Sequence, residues 1–185
     1  MFTDVEYYSL GREMNEKSKL LYTPEQRIKR DQSVWTLVQG VLAPVQFLVF
    51  LVSITLVIRF LMTGKDYDYA NYSIMLKTFL LLLIMVTGCI WEKVVFDKYL
   101  FAEAFFWEDV FSMLVIFLHL SYVYCLLNQI LSPNALMILA LCAYGAYFIN
   151  AAQFIWKLRV ARKEYEALQN KASMTNEIFQ QGYAS

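Results

Sequence analysis

The chain has 185 residues, of which 59% are hydrophobic and only 17% are charged, and its mean hydropathy is +0.43. Soluble domains carry about 25% charged residues, so this composition excludes an ordinary soluble globular protein and indicates an integral membrane protein. The formal net charge is zero and by itself says nothing about partners. We expect no binding of nucleic acid.

Four segments are apolar for long enough to cross a bilayer, which takes about 20 residues in a helix. The sequence therefore predicts an all-α membrane protein, a bundle of four transmembrane helices. The first thirty residues are polar and charged, so we expect no cleavable signal peptide. The predicted spans cover about 33–60, 71–94, 106–131 and 134–158.

The basic residues predict the orientation of the bundle. Thirteen of the sixteen Lys and Arg lie before the first span, in the second connection or after the fourth span. This positive-inside bias predicts that both termini and the second connection face the cytoplasm. The predicted organisation is a mobile cytoplasmic extension (1–22), a transmembrane domain (23–163) and a cytoplasmic tail (164–185).

Cysteine and histidine usage argues against a metal centre or a cofactor. The three Cys lie inside predicted spans without Cys-x-x-Cys spacing, and the chain has one His. Disulfides and thiolate metal sites are therefore not expected, nor is a zinc, iron or haem centre held by the protein.

The first two spans carry polar residues at membrane depth. Gln39 and Gln46 are seven residues apart and share one helical stripe, because two turns take about 7.2 residues. Each either hydrogen-bonds a neighbouring helix or contacts a ligand. Lys77, near the start of the second span, is expected to extend its ammonium outward to the interface.

Acids concentrate around the connection between the second and third spans. In a chain this apolar, a cluster of acids indicates a candidate active site, although Glu92 can also be an interfacial anchor. Glu108 and Asp109 stand in the first turn of a helix, where carboxylates also interact favourably with the helix dipole. The acids are Glu92, Asp97, Glu103, Glu108 and Asp109, and Trp91 and Trp107 lie among them.

Helical spacing in the third and fourth spans selects further candidates. Glu108, Ser112 and His119 share a face that extends over about 16 Å of helix, whereas Asp109 is turned from it by about 100°. In the fourth span, Asn150 and Gln153 belong to a polar stripe. An ionisable group at membrane depth, such as His119, tends to mark a functional site.

Four motifs resemble those of a known family. They are WTLVQGVLAPVQF at 35–47, IWEKVVF at 90–96, FFWEDV at 105–110 and INAAQF at 149–154. Together they resemble the membrane-bound 3-vinyl hydratases of bacteriochlorophyll synthesis. The resemblance covers about 21–162 and leaves out the extension and the tail.

The resemblance implies an enzyme that adds water to the vinyl group of a chlorophyllide or bacteriochlorophyllide and gives a 1-hydroxyethyl group. Such a hydro-lyase needs a proton donor and a held water, but no redox cofactor; magnesium enters only as part of the substrate. It also implies the inner membrane of a photosynthetic bacterium as the location, with lipid and other pigment-synthesis enzymes as partners. The alternative is a non-enzymatic pigment carrier or assembly factor.

A carboxylic acid in an apolar setting is the natural proton donor for this reaction. We expect Glu108 to be the donor, with Glu92 as its main rival, base or partner and Asp109 as the third catalytic candidate. Asn150 or Gln153 would hold the water, and His119 is the candidate axial ligand of the substrate magnesium. The remaining expected substrate contacts are Gln39, Gln46, Ser112, Trp91 and Trp107.

Overall fold

The computed structural model describes residues 21–183, and over this range all regular structure is α-helical. Four of the helices are long and apolar enough to cross a membrane, which confirms the prediction of four spans. The helices are α1 (Pro24–Gln32), α2 (Val34–Thr63), α3 (Tyr67–Phe96), α4 (Phe106–Leu127) and α5 (Pro133–Tyr183).

Local hydrogen bonds define where the long helices begin and end. Ser33 caps α2, because its hydroxyl accepts from the Trp35 N–H at 3.2 Å. At the other end Gly64 takes a left-handed conformation (φ 68°) that glycine adopts without strain. Asp97 closes α3 in the same way, and its N–H donates to the Lys93 carbonyl at 3.1 Å.

The observed helices differ from the predicted spans mainly at the ends. Helix α3 begins at Tyr67 and α4 already ends at Leu127, so both connections outside the acid-rich region are short turns. Helix α5 continues to Tyr183, without a break at 163, where the sequence suggested the end of the transmembrane domain. The predicted extension, 1–22, lies almost wholly outside the described residues.

Residues Gln26–Gln153 form one compact unit, which we call the bundle. Helix α3 ends and α4 begins at the same end of the bundle, and this end is called the acid end below. From Phe154 onward α5 belongs to a second unit. That part carries polar pairs one turn apart, such as Arg162 with Glu166 at 2.9 Å, as expected for a helix surrounded by water.

Ser53 joins three helices of the bundle and is fully buried. Its hydroxyl is hydrogen-bonded to the Ser73 hydroxyl of α3 at 2.6 Å and to the Tyr144 hydroxyl of α5. The ring of Phe50, one turn along α2, packs against Tyr144 and Tyr147 with centroids 5.4 and 5.0 Å apart. Polar and aromatic contacts therefore fix the same helix register.

Replacing Ser53 by Ala should lower the free energy of unfolding by about 0.6–1.7 kcal/mol, the range measured for hydrogen bonds between membrane helices. Thr55→Ala is the matched control, because Thr55 is exposed on the same helix and bonds only the Leu51 carbonyl of its own helix. Chemical denaturation in detergent, followed by helical circular dichroism, measures both. Equal losses would show that Ser53 does not join the helices.

Candidate functional site

Three carboxyl side chains are buried together at the acid end. Glu92 is 6% exposed, Glu108 is 8% exposed and Asp109 is 3% exposed. The carboxyl groups of Glu92 and Asp109 lie close enough to interact with each other. Two neighbouring carboxyl groups repel each other when both are ionised, so this pair is suited to holding one proton between them.

The bridge between α3 and α4 folds over the carboxyl pair and donates backbone N–H groups to it. The Phe101 N–H donates to Asp109 Oδ2 at 2.7 Å, and the Ala102 N–H donates to Glu92 Oε2 at 3.4 Å. Phe101 takes a left-handed conformation (φ 58°), which is uncommon for a residue with a side chain. The bridge thus holds an unusual turn that aims two donors at the acids.

Asp109 is turned from the face that Glu108 shares with His119, and this turn buries it against α3. Helical spacing set Asp109 apart because it considered only the face shared by Glu108 and His119. In a bundle, α4 contacts two neighbours, and Asp109 lies on the side that meets α3 and Glu92. Both acids of the first turn are therefore buried, each towards a different surrounding.

Two groups of aromatic rings surround the acid end. Trp91, Phe96 and Phe105 make edge contacts with centroids 5.7 to 5.8 Å apart, and Phe105 is 2% exposed. A second group, called the outer rings, lies on the surface of the bundle. It consists of Phe101, Phe106 and Trp107, which are 40%, 44% and 66% exposed, with successive centroids 5.7 and 5.5 Å apart.

Ser112 and Asn150 connect α4 to α5 just inside the acid end. The Asn150 amide donates to the Ser112 hydroxyl at 2.8 Å, and that hydroxyl donates to the Glu108 carbonyl at 2.9 Å. Asn150 is 8% exposed and its Oδ1 has no hydrogen-bond partner in the part of the chain that the structure describes. The NH2 group of the amide thus joins α5 to α4, while its oxygen remains available to accept a hydrogen bond.

The two glutamines of α2 have different surroundings. Gln39 donates to the Thr87 hydroxyl at 2.7 Å and to the Ile84 carbonyl at 3.3 Å, and the nearby Trp91 indole donates to the Thr36 hydroxyl at 2.9 Å. These are contacts between α2 and α3. Gln46 is 3% exposed, and its Nε2 finds no partner among residues 21–183. Of the two, Gln46 is the one whose amide is available to a ligand.

Lys77 is the residue whose position the sequence analysis misjudged. Its expected outward extension is wrong: the side chain is fully buried, and Nζ lies 3.4 Å from the centroid of the Tyr147 ring. Lys77 begins ten residues inside α3, about 15 Å from the helix start, so the surrounding rings are closer to its ammonium than the interface is. A cation over an aromatic face is stabilised by the ring quadrupole.

His119 lies in the same region, 1% exposed, with its ring centroid 5.8 Å from that of Tyr144. Nδ1 is 2.8 Å from the Val115 carbonyl. A carbonyl oxygen only accepts, so Nδ1 carries a proton and the lone pair of the neutral ring is on Nε2. Nε2 has no partner within the described chain. Lys77 is near enough to interact with His119 electrostatically.

Comparison with known proteins identifies the relatives of this chain. The family model described as 2-vinyl bacteriochlorophyllide hydratase matches residues 22–160. The protein of that name from Cereibacter sphaeroides is 59% identical over 150 residues, 80% of this chain and 92% of the relative. Its namesake from Rhodobacter capsulatus is 59% identical over 148 residues, 80% of this chain and 86% of the relative.

The chain belongs to the 2-vinyl bacteriochlorophyllide hydratase family. The matched region contains the carboxyl pair, the outer rings and Lys77, and it also contains Asn150 and Gln153 of α5. The family resemblance seen in the four sequence motifs is thereby confirmed. No solved structure matches the chain.

The different surroundings of the two glutamines predict different effects of substitution. Gln39→Met should cost about 0.6–1.7 kcal/mol of stability, because it removes the amide that bonds α3. Gln46→Met should cost less, because its Nε2 bonds no protein group in the described chain and methionine has a similar volume. Unfolding of the two variants in detergent, at matched protein concentration, measures the difference. A larger loss for Gln46→Met would contradict the assignment.

Proposed function

We propose that this chain is a hydro-lyase that adds water to the 3-vinyl group of a chlorophyllide or bacteriochlorophyllide. The product carries a 3-(1-hydroxyethyl) group, and the reaction belongs to bacteriochlorophyll biosynthesis. The names of the relatives support this assignment. The observation in the structure that carries the chemistry is the pair of neighbouring carboxyl groups, Glu92 and Asp109, buried at the acid end and approached by two backbone N–H groups.

The carboxyl pair is the proton donor and, later in the cycle, the proton acceptor. The acid gives its proton to the terminal vinyl carbon, and the positive charge on the inner carbon spreads into the conjugated ring. A water oxygen then bonds to the inner carbon and loses a proton to the carboxylate. One C=C double bond becomes a single bond, one C–H and one C–O bond form, and the acid is regenerated.

Glu92 and Asp109 suit this role better than Glu108, the donor favoured by helical spacing. The N–H groups of Phe101 and Ala102 each donate to a carboxylate oxygen of the pair. They stabilise the negative charge that the pair carries after it has given up its proton. When the proton returns, the repulsion between the two carboxylates is relieved. Glu108 is left as a neighbour that shapes the site.

The outer rings supply a surface for the flat apolar macrocycle. Phe101 connects this surface to the acids directly, since its ring belongs to the group and its N–H donates to Asp109. In this proposal the macrocycle stacks on Phe106 and Trp107 and directs its vinyl edge towards the carboxyl pair. Trp107 keeps the substrate-contacting role that the sequence suggested, on the surface of the bundle.

The same arrangement leaves His119 too far away to hold the substrate magnesium. His119 is ten residues along α4 from Asp109, or about 15 Å of helix. This separation exceeds the distance from a vinyl group to the centre of one macrocycle. We therefore assign His119 no contact with the magnesium of a substrate whose vinyl group lies at the carboxyl pair.

Conservative substitutions should distinguish the catalytic roles of the three acids. Asp109→Asn and Glu92→Gln keep shape and can still accept hydrogen bonds, but each removes an exchangeable acid and should lower kcat by about 10²–10⁴-fold. Glu108→Gln should have a much smaller effect. The measurement is the rate of hydroxyethyl product formation by purified variants, at equal protein and with saturating vinyl substrate.

Two results would contradict this assignment. If Glu108→Gln loses most activity while Asp109→Asn keeps it, Glu108 is the donor and the pair is structural. If wild-type protein binds the pigment but leaves its vinyl absorption band unshifted, the protein is a carrier and the hydratase proposal fails.

The membrane location and orientation are part of the proposal. Basic residues at both ends of the chain and beside the acid end support an orientation with both termini in the cytoplasm. The photosynthetic bacterial relatives favour the inner membrane, and pigment-synthesis enzymes are suitable partners. This orientation gives the substrate propionate access to the basic side.

A reporter that is active only in the cytoplasm, fused after the last residue, should be active. The matched control is the same reporter inserted in the turn at Lys65, between α2 and α3, where it should be silent. The reverse pattern would overturn the orientation and place the acid end on the far side of the membrane.

A further inference from the structure

Polar atoms without partners lie along the inside of the bundle. Buried polar groups are normally hydrogen-bonded to protein or to ordered water, and buried waters typically make about three such bonds. Among the described residues, five side-chain atoms of the bundle interior have no hydrogen-bond partner in the protein. They are Lys77 Nζ, His119 Nε2, Gln46 Nε2, Asn150 Oδ1 and Gln153 Oε1.

Ring contacts connect the residues that carry these atoms. Gln46 is one turn of α2 from Phe50, whose ring packs against Tyr147, and the His119 ring lies beside Tyr144, three residues before Tyr147. Lys77 lies over the ring of Tyr147, and Asn150 and Gln153 follow Tyr147 along α5 at steps of three residues, each about 4.5 Å. Asn150 is bonded to Ser112, which is three residues from Asp109 on α4. The row of unpartnered polar atoms therefore begins in the middle of the bundle, at Lys77 and His119, and reaches the acid end.

The chemical character of the five atoms selects the ligand. Lys77 and Gln46 offer N–H donors, whereas His119 Nε2 and the oxygens of Asn150 and Gln153 offer lone pairs. An anion would be repelled by the lone pairs, and a metal ion would be repelled by the ammonium. An apolar ligand would leave all five unsatisfied. Water both donates and accepts, so several water molecules can satisfy the whole set, which none of the other three ligand classes does.

We propose that these five residues bind a file of water molecules inside the bundle, the water column, and that it delivers the water consumed by hydration. The binding of water stands on the structure of the bundle alone. The delivery role rests on the proposed hydratase function, because it needs an acceptor of water at the carboxyl pair. Lys77, Gln46 and His119 are then positioning residues that hold water.

Hydroxyl-radical footprinting with X-ray pulses tests the binding of water directly, because radicals formed from bound water modify the side chains that touch it. The protein is reconstituted in lipid nanodiscs. Tyr147 and His119 should be modified several times faster than Tyr122. That tyrosine is also buried, but its hydroxyl donates to Asn71. Lipid-facing Phe148, 57% exposed on α5, is a second control. Modification of Tyr147 no faster than that of Tyr122 overturns the column.

Substitutions in the column give a second, independent measurement. Gln46→Leu and Lys77→Met should each slow the modification of Tyr147. Two variants are used because Lys77→Met removes a packed cation and is the more disruptive. If both fold and neither changes the labelling, the named residues do not hold the water and the proposal fails.

The delivery role is tested by kinetics. Gln46→Leu should lower kcat by about five- to tenfold, the size of one lost hydrogen bond, without a change in the KM for pigment. Gln46→Asn, which keeps an amide, should restore part of the rate. A change in KM alone would show that Gln46 contacts pigment and would overturn delivery. If Tyr147 is labelled as expected but the protein has no hydratase activity, the water column is supported and the proposed function is wrong.

Discussion

The lipid around the bundle offers no hydrogen bonds to polar side chains, and this constraint determines how the helices pack. In a bilayer, no water on the lipid face satisfies a polar side chain, so it pairs with a carbonyl of its own helix, as Thr55 does, or with a group on a neighbouring helix. Ser53 meets Ser73 and Tyr144, Asn150 meets Ser112, and Tyr122 donates to Asn71 at 2.5 Å. Each of these bonds joins two helices.

The polar contacts fall into two kinds with different consequences. Bonds such as Gln39 to Thr87 are complete within the protein and fix how α2 and α3 pack. Groups such as Lys77 Nζ and Gln46 Nε2 are buried without a hydrogen-bond partner in the described protein, and a missing hydrogen bond costs stability. A four-helix bundle could be more stable with apolar residues there. The second kind therefore indicates function, and the first kind supplies the rigidity that the second requires.

The sequence predicted the spans and the place of the acids, because hydropathy and charge are local properties. It did not predict which acids pair. Asp109 meets Glu92 only because the bridge folds back and donates from Phe101, and helical spacing contains no information about that turn. The predicted direction of the Lys77 side chain was also wrong. That direction depends on the position of Tyr147 rather than on the distance to the end of α3. Side-chain direction across helices is a tertiary property.

The separation of the carboxyl pair from Lys77 follows from the balance of the reaction. Hydration consumes one water and no net proton, because the proton given to the vinyl group returns from the attacking water. The acids therefore need no path to a proton reservoir, and the bridge can bury them behind Phe101 and Ala102. Water, in contrast, must be replaced after every turnover. In the proposed mechanism, the donors and lone pairs along the bundle interior bind the water and the carboxyl pair at the acid end transfers the proton, so no charged pathway across the membrane is needed.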